Sequence, residues 1–416
     1  MQWGKSNMLN IFKIKKLCSI SLLVMSFSSL SYASIDSSHS VDQQLAIQGD
    51  IEAQFQMGQQ YHMQDVQHPD PELQKKSFEW YKKAAEQGHR QAQYLVGLMY
   101  DLGRGIPQDI KQAMYWYAKA ATQGQADAQL SLGRGYQTGE GVEKNPSLGF
   151  AWVLKAAEQG QVDAQYRIAA NYQYGFDQPK NDAEALKWYL KAAKQGLADA
   201  QYALGLMYGI DEDETQAFQW YLKAAEQGHA DAQYMLGVLN FYQYDQDITQ
   251  ALYWYNKAAE QNVPEAQTQL GIIFQFGLGV QRDLVQAKQW YEKARHQQHA
   301  KAIRYLALIE QQDPEKLNQA YRLFSNAAVL DDAPSAYYLA KMYESGQGVT
   351  QNFAQAIHWY EKAVALDEPM AAYRLGRLYE YGQGLTVNKT EAKRLYQFAI
   401  EQGYEEVKAQ LEQLPK

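Results

Sequence analysis

Small, apolar and polar residues recur along this chain in a fixed order, with a period of 32 to 36 residues. Residues 198–228 show the pattern: Ala-Asp-Ala-Gln, then Leu-Gly, an aromatic residue, and finally Ala-x-x-Trp-Tyr-x-Lys-Ala-Ala-x-Gln-Gly. Self-similarity of this length indicates a stacked array of small units, each burying its apolar face against its neighbours. The last position of the copies is held in turn by Gly88, Gly124, Gly160, Gly196, Gly228, Asn262, Gln298, Asp331, Asp367 and Gly403.

Each copy contains two helical stretches, called helix A and helix B here. In the copy that ends at Gly124, helix B has apolar residues at i, i+3, i+4, i+7 and i+8 from Ala113, which is the spacing of one helical face. Helix A of that copy carries Val96 and Gly97, and we expect its small residues to face large ones on helix B. The sequence therefore predicts an all-α fold of about ten two-helix repeats.

The tryptophans support the same register. Beyond the first 33 residues they all occupy one position of helix B, which we expect to point into the stack and fill its core. A row of tryptophans that stacks on a ligand is the alternative. The position is held by Trp80, Trp116, Trp152, Trp188, Trp220, Trp254, Trp290, Leu323, Trp359 and Leu395.

Five copies carry Gly-x-Gly and an aliphatic residue between the helices, as in Gly103 and Gly105 with Ile106. A phosphate-binding loop needs a preceding strand and a further glycine, which these stretches lack. We therefore expect the first glycine to end helix A with a positive φ. A short polar residue, such as Asp109, should cap the following helix B. The loop is missing at 209–214, 240–248 and 307–318, which predicts an altered loop edge in those copies.

The first 33 residues have the features of a secretory signal peptide. A lysine-containing start precedes an apolar run from Ile20 to Leu30, and Ser31-Tyr32-Ala33 fits a cleavage site. We expect the mature protein to be exported, either periplasmic or secreted, with a leader and N-terminal cap at 34–49. The repeats then cover 50–403, and 404–416 form a C-terminal capping helix. The chain's one cysteine lies in the signal segment, so disulfides do not hold the predicted mature fold together.

Charge argues against a nucleic-acid partner. The net charge is −8, and removal of four lysines and no acid with residues 1–33 gives −8 − 4 = −12. Phosphate binding needs a basic stripe, which this sequence lacks. After signal removal we also expect no membrane span.

No catalytic, cofactor-binding or metal-binding residue is predicted. Ser-x-x-Lys, the motif of serine β-lactamases, does not occur after residue 33. His296 and His299 could offer two metal ligands, but no third ligand of matching pattern accompanies them. Acidic residues at 211–214, 245 and 247 could form a cation or partner site, although acidic loops are usually only solvated.

The motifs Ala-x-x-x-Leu-Gly-x-x-Tyr, Gly-x-Gly-Val and Ala-x-x-Trp-Tyr-x-Lys-Ala-Ala resemble those of the Sel-1-like repeat family, which is related to the tetratricopeptide repeats. The resemblance covers 50–403. It implies a right-handed α-α superhelix, a solenoid whose inner surface binds proteins or peptides. Secreted bacterial members are typically scaffolds in the bacterial envelope or contacts with host proteins. A cysteine-rich branch binds and slowly hydrolyses penicillins, but its disulfides have no counterpart in this mature chain.

One row on helix A is the best candidate for a binding surface. If the tetratricopeptide relationship holds, the residue two before the helix A Leu faces the concave wall, where tyrosine would give contact area and a polar tip. The alternative is that these rings only pack neighbouring repeats together. The predicted partner-binding residues are the aromatic members, Phe55, Tyr94, Tyr166, Tyr202, Tyr234, Tyr337 and Tyr373; Leu130, Thr268 and Arg304 hold the other positions.

The sequence thus predicts an exported, non-enzymatic scaffold that holds a partner protein or peptide in its concave groove. A penicillin-binding, β-lactamase-like hydrolase and a binder of cell-wall glycan or of a host protein are the alternatives.

Overall fold

The structure, a computed structural model, describes residues 38–210, 213–242 and 247–413. The predicted signal peptide lies outside these ranges. Within them the chain forms 22 α-helices and two short 3₁₀ helices, Pro314–Lys316 and Glu405–Val407, and no strand. The helices are α1 (Ser38–Gln48), α2 (Ile51–Gln67), α3 (Pro71–Glu86), α4 (Arg90–Leu102), α5 (Ile110–Thr122), α6 (Ala126–Thr138), α7 (Pro146–Glu158), α8 (Val162–Tyr174), α9 (Asp182–Lys194), α10 (Ala198–Ile210), α11 (Glu214–Glu226), α12 (Ala230–Tyr242), α13 (Ile248–Glu260), α14 (Pro264–Phe276), α15 (Leu284–His296), α16 (Ala300–Glu310), α17 (Leu317–Val329), α18 (Ala333–Ser345), α19 (Phe353–Ala365), α20 (Pro369–Tyr381), α21 (Lys389–Glu401) and α22 (Lys408–Gln413).

These helices form the predicted repeats. The even-numbered helices from α2 to α20 are helices A, and the helix after each is its helix B. The chain divides into two compact units, residues 1–200 and 201–416, with the boundary inside α10. In the N-terminal unit α2 packs on α3, α4 on α5, α6 on α7 and α8 on α9, while in the C-terminal unit the same pairing runs from α12 with α13 to α20 with α21. The all-α, two-helix-repeat prediction is confirmed.

A glycine on helix A faces a buried tyrosine on helix B in most repeats. A Cβ built on Gly97 would lie 2.8 Å from Cδ1 of Tyr117, a ring with no exposed surface. This is the predicted pairing of a small with a large residue, because glycine lets the ring lie against the backbone of helix A. The same contact joins Gly58 to Tyr81, Gly205 to Tyr221, Gly237 to Tyr255, Gly271 to Tyr291 and Gly376 to Tyr396.

The neighbouring tryptophans are less buried than predicted. Trp116 and Trp188 are buried, but most of the others are half-buried. A lysine three residues later lies over the ring, as Lys191 Nζ does 3.7 Å from the ring centroid of Trp188. The reason is geometric: adjacent helical residues point about 100° apart. The tyrosine faces helix A, and the tryptophan therefore lies at the margin of the core, where the lysine stem covers it.

The Gly-x-Gly loops have two functions, one predicted and one not. Gly103 ends α4 in the left-handed region at φ 67°, and Asp109 caps α5, both as expected. The second glycine, Gly105, makes a contact that the sequence analysis did not anticipate. A Cβ there would lie 2.6 Å from the backbone carbon of Gln74, at the start of the preceding repeat's helix B. The loop thus packs one repeat on the next.

Buried glutamines also join neighbouring repeats. Gln93 Nε2 donates to the carbonyl of Ala85 in the preceding helix B, and Gln93 Oε1 accepts from Gln123 Nε2 at 2.7 Å. Gln165 with Gln195 and Gln233 with Gln261 repeat this arrangement. We call it the glutamine clamp. It gives the buried helix A amides partners on both their nitrogen and their oxygen.

Candidate partner-binding face

The row predicted on helix A, named the tyrosine row here, lies between repeats. Its ten positions are those given above, from Phe55 to Tyr373. Phe55, Tyr94 and Tyr337 are less than a tenth exposed. The remaining predicted binding residues, Tyr166, Tyr202, Tyr234 and Tyr373, are half-buried and keep part of the ring at the surface.

Each aromatic member of the row packs against the buried tyrosine of its own helix B. The ring centroids of Tyr202 and Tyr221 are 5.8 Å apart, and those of Tyr234 and Tyr255 are 6.0 Å apart. The tilted arrangement is one that aromatic pairs prefer. One side of each ring is therefore fixed by the repeat's own core.

The row also contacts the residue that precedes the next helix A. His89 stacks on Phe55 at 4.2 Å between ring centroids, and His229 stacks on Tyr202 at 4.6 Å. Thr268 Oγ1 lies 2.9 Å from Nδ1 of His299. The sequence pattern suggested only a metal-ligand role for His299 and no role for His89 and His229, although each of the three follows directly on the residue that ends a copy. The row therefore helps to pack successive A helices.

The hydroxyls of Tyr166 and Tyr234 stay protonated at neutral pH. Burial, together with the charge of Asp199, raises the pKa of Tyr166 to about 12. Burial also raises the pKa of Tyr234, against the opposing effect of a hydrogen bond with Gln269. Such hydroxyls can donate hydrogen bonds to a carbonyl or carboxylate, as well as accept them.

Paired charges occupy the same face in the last repeats. Arg304, a row member, lies 3.4 Å from Asp332, and both side chains are mostly buried. Arg374 lies 4.0 Å from Glu344, which accepts a hydrogen bond from Tyr360. Partial burial makes these pairs less screened by salt than exposed ones. The last repeats thus add buried or half-buried ion pairs to this aromatic face.

The other candidates from the sequence have structural surroundings. His299, which faces Thr268, has a pKa lowered chiefly by burial. Asp213 and Asp247 cap α11 and α13, while residues 211, 212 and 245 lie outside the described ranges. In the part of the chain that the structure describes, no three His, Cys, Asp or Glu side chains are grouped to hold a metal ion. Among the described helices, none has the length and apolar character needed to cross a membrane.

Comparison with known families agrees with the repeat register. Nine stretches match the Sel1 repeat, and together they cover most of 51–404: residues 51–89, 90–125, 126–161, 162–197, 198–229, 230–263, 264–299, 333–368 and 369–404. The chain belongs to the Sel1 repeat family. Residues 300–332 are not matched, but α16 and α17 within them pack as a tenth helix pair of this Sel1 repeat protein.

Two solved Sel1-type structures are similar over most of their length. The first is c5321, described as a protective antigen of uropathogenic Escherichia coli strains with an SLR fold. It is 27% identical, with a TM-score of 0.63, over 89% of this chain and 90% of its own. A Sel1 repeat protein from Oxalobacter formigenes is 28% identical, with a TM-score of 0.50, over 86% of this chain and 93% of its own. A search of curated proteins gave no match.

Proposed function

We propose that this Sel1 repeat protein is an exported, non-enzymatic scaffold whose A helices bind an extended or helical segment of a partner protein. The observation that carries the proposal is the tyrosine row. Seven of its ten positions are aromatic, and Tyr166, Tyr202, Tyr234 and Tyr373 keep part of the ring at the surface.

The way these rings are held suits binding. Each half-buried ring is fixed on one side by a helix B tyrosine, as Tyr234 is by Tyr255. A partner that covers the other side therefore immobilises few additional side-chain rotors, which lowers the entropic cost of association. The hydroxyl offers a hydrogen bond at the edge of each apolar ring. Repetition at a fixed interval favours a partner segment that runs along successive A helices.

Export is supported by the first 33 residues and by the similarity to c5321, described as a protective antigen. The hydrolase alternative lacks a positive observation in the described residues. A chromogenic β-lactam assay tests it directly, and hydrolysis faster than that by an unrelated helical-repeat protein would overturn the non-enzymatic part of the proposal.

The binding proposal is tested by affinity capture from a bacterial envelope extract and from host-cell lysate. Wild-type protein is compared with a Tyr202→Ser, Tyr234→Ser variant. The matched control carries the same change at Tyr115 and Tyr253, tyrosines of B helices that are 50% and 51% exposed. We expect a protein that is retained by wild type and control and lost from the row variant.

Melting curves separate binding from folding. If the row variant melts far below wild type, or loses helical content, its failure to bind means only that the rings hold the repeats together. In that case a Tyr202→Phe, Tyr234→Phe variant is used instead, because it keeps the rings and removes only the hydroxyls. A partner that binds both folded row variants as it binds wild type would overturn the proposal.

A further inference from the structure

Two lysines on the A-helix face of the last repeats have no carboxylate partner. Lys301 lies one helical turn before Arg304 of the tyrosine row, and Lys341 lies one turn after Tyr337 of the row. Both lysines are half-buried, so part of each side chain still reaches the surface. Within the described part of the chain, neither ammonium group forms an ion pair.

The surroundings of Lys301 disfavour its positive charge. Burial, followed by the charge of Arg304, lowers the pKa of Lys301, and the carboxylate of Asp332 opposes this only in part. Asp332 is engaged elsewhere, because it lies 3.4 Å from Arg304 and accepts hydrogen bonds from the backbone and the hydroxyl of Ser335. This acid therefore does not neutralise Lys301.

Lys341 has similar surroundings in the next repeat. Its Nζ lies 5.6 Å from the ring centroid of Tyr337, which is almost fully buried. Burial, followed by the charge of Arg374 on the next helix A, lowers the pKa of Lys341, and Glu344 opposes this in part. Glu344 lies 4.0 Å from Arg374 and accepts a hydrogen bond from Tyr360, so it too is engaged elsewhere.

A partner that covers the tyrosine row in repeats eight to ten would also remove water from these two ammonium groups. Desolvating a charged group is costly unless an opposite charge takes the place of water. We infer, on the basis of the proposed function, that the partner segment on this part of the row is an acidic peptide whose carboxylate side chains pair with Lys301 and Lys341. An apolar segment of the same shape would leave both charges buried without a partner.

The arrangement of charges favours a peptide over a nucleic acid. The acids Asp332 and Glu344 lie among the cations of this face, and the whole chain has a net charge of −8. A phosphate backbone carries regularly spaced charges and needs a continuous basic surface. A peptide can instead place carboxylates opposite the two lysines and an apolar side chain opposite the half-buried ring of Tyr373.

The first experiment selects short random peptides, displayed on phage, for binding to the purified protein. Non-specific attraction to an acidic protein would enrich basic peptides, whereas we expect enrichment of Asp and Glu. Enrichment of neutral or basic peptides would overturn the inference, and their loss from a Tyr373→Ser variant would still support the proposed function. A selection that yields no peptide counts against both.

The second experiment measures the affinity of the strongest acidic peptide, labelled with a fluorophore, by anisotropy. A Lys301→Gln, Lys341→Gln variant should bind about tenfold more weakly, which is the combined strength of two partly exposed ion pairs. The control variant, Lys257→Gln, Lys393→Gln, removes the same charge from exposed lysines of α13 and α21 and should bind as wild type does. Added salt should weaken the binding of wild type more than that of the Lys301, Lys341 variant.

Melting curves show whether the variants are folded. The Lys301→Gln, Lys341→Gln variant should melt no lower than wild type, because each substitution removes a charge that its surroundings disfavour. If it does melt lower, a Lys301→Arg, Lys341→Arg variant is compared as well, and it should keep the affinity because it keeps the charges. Equal affinities of the two glutamine variants for the peptide would overturn the inference. Tighter binding of a labelled oligonucleotide than of the acidic peptide would also overturn it.

Discussion

The ring of Tyr255 rests directly on the backbone of Gly237: a Cβ built on this glycine would lie 2.5 Å from Cδ1 of the ring. Tyr255 is fully buried, so the ring has no free space into which it could move. We therefore expect Gly237→Ala to destabilise the protein by about 1–3 kcal/mol through overpacking.

Gly209 provides the control for this substitution. It also lies in helix A of a repeat, but a Cβ there would meet its nearest neighbour, the Tyr221 hydroxyl, only at 3.9 Å. Gly209→Ala should therefore stabilise the chain by about 0.5–1 kcal/mol, the helix propensity gain. Chemical denaturation of both variants checks the pair. Equal effects of the two substitutions would contradict the role of the tyrosine contact.

The hydroxyls of two core tyrosines predict opposite effects of the same substitution. The hydroxyl of Tyr291 donates to Gln275 Oε1 at 2.7 Å. The hydroxyl of Tyr255 is buried and has no hydrogen-bond partner. The reason is that Phe241 occupies, in the repeat of Tyr255, the helix A position that Gln275 occupies in the repeat of Tyr291. Tyr291→Phe should cost about 1 kcal/mol or more, since it leaves the amide of Gln275 without this bond. Tyr255→Phe should be neutral or stabilising. Denaturant midpoints measure both, and a loss of stability in Tyr255→Phe would show that its hydroxyl has a partner.

The glutamine clamp predicts non-additive substitutions. In repeats eight and nine the two clamp positions are both apolar, Ile303 with Leu330 and Ala336 with Leu366. Gln93→Leu alone removes the bonds that Gln93 makes to Gln123 Nε2 and to the Ala85 carbonyl, each of which keeps one bond with Gly88, and should cost about 0.5–1.5 kcal/mol. The double variant Gln93→Leu, Gln123→Leu should recover part of the lost stability. A double-mutant cycle measures the coupling, and strict additivity would mean that the two amides stabilise the fold independently.

His62 in α2 predicts acid sensitivity at the N-terminal end of the repeats. It is 7% exposed, and burial, with the nearby charge of Arg104, lowers its pKa against the opposing effect of Asp65. The unfolded chain therefore takes up the proton first. The contribution of neutral His62 is complete above the ordinary histidine pKa of about 6.5 and is lost as pH falls through the lower folded value.

Hydrogen exchange of α2 between pH 7 and pH 5, corrected for the intrinsic pH dependence of exchange, measures this effect. Protection of α2 should fall with pH in wild type and change less in His62→Gln, in which no group titrates at that position. If both proteins lose protection equally, another group causes the acid sensitivity.

The repeat pattern predicted the fold because the same helical spacing and capping residues recur in every copy. The contact of Gly97 with Tyr117 and the capping of α5 by Asp109 both lie within one repeat. Helical spacing and capping chemistry therefore suffice to predict them. The sequence pattern placed the tryptophan of each Trp-Tyr pair in the core, whereas the tyrosine is the ring that faces helix A. Two adjacent aromatic residues both fit an apolar face, and only the position of the helix A glycine decides between them.

The candidate sites were harder to predict for the same reason. Contacts of the tyrosine row with His89, His229 and His299 join different repeats, and the sequence pattern of one repeat contains no such information. Gln286 is a typical residue at its position, but its Oε1 is buried without a hydrogen-bond partner, whereas the equivalent glutamines are exposed. Within-repeat periodicity cannot show which atoms are covered by side chains of neighbouring repeats.

Site-specific photo-crosslinking shows whether the A-helix face binds a partner. A benzophenone amino acid replaces Tyr202, Tyr234 or Tyr373 in the row and, as controls, the exposed Tyr115 or Tyr253 on B helices. We expect one partner protein to be crosslinked from the row positions and not from the controls. Crosslinking of that partner from Tyr115 or Tyr253, with none from the folded row variants, would contradict binding by the A-helix face.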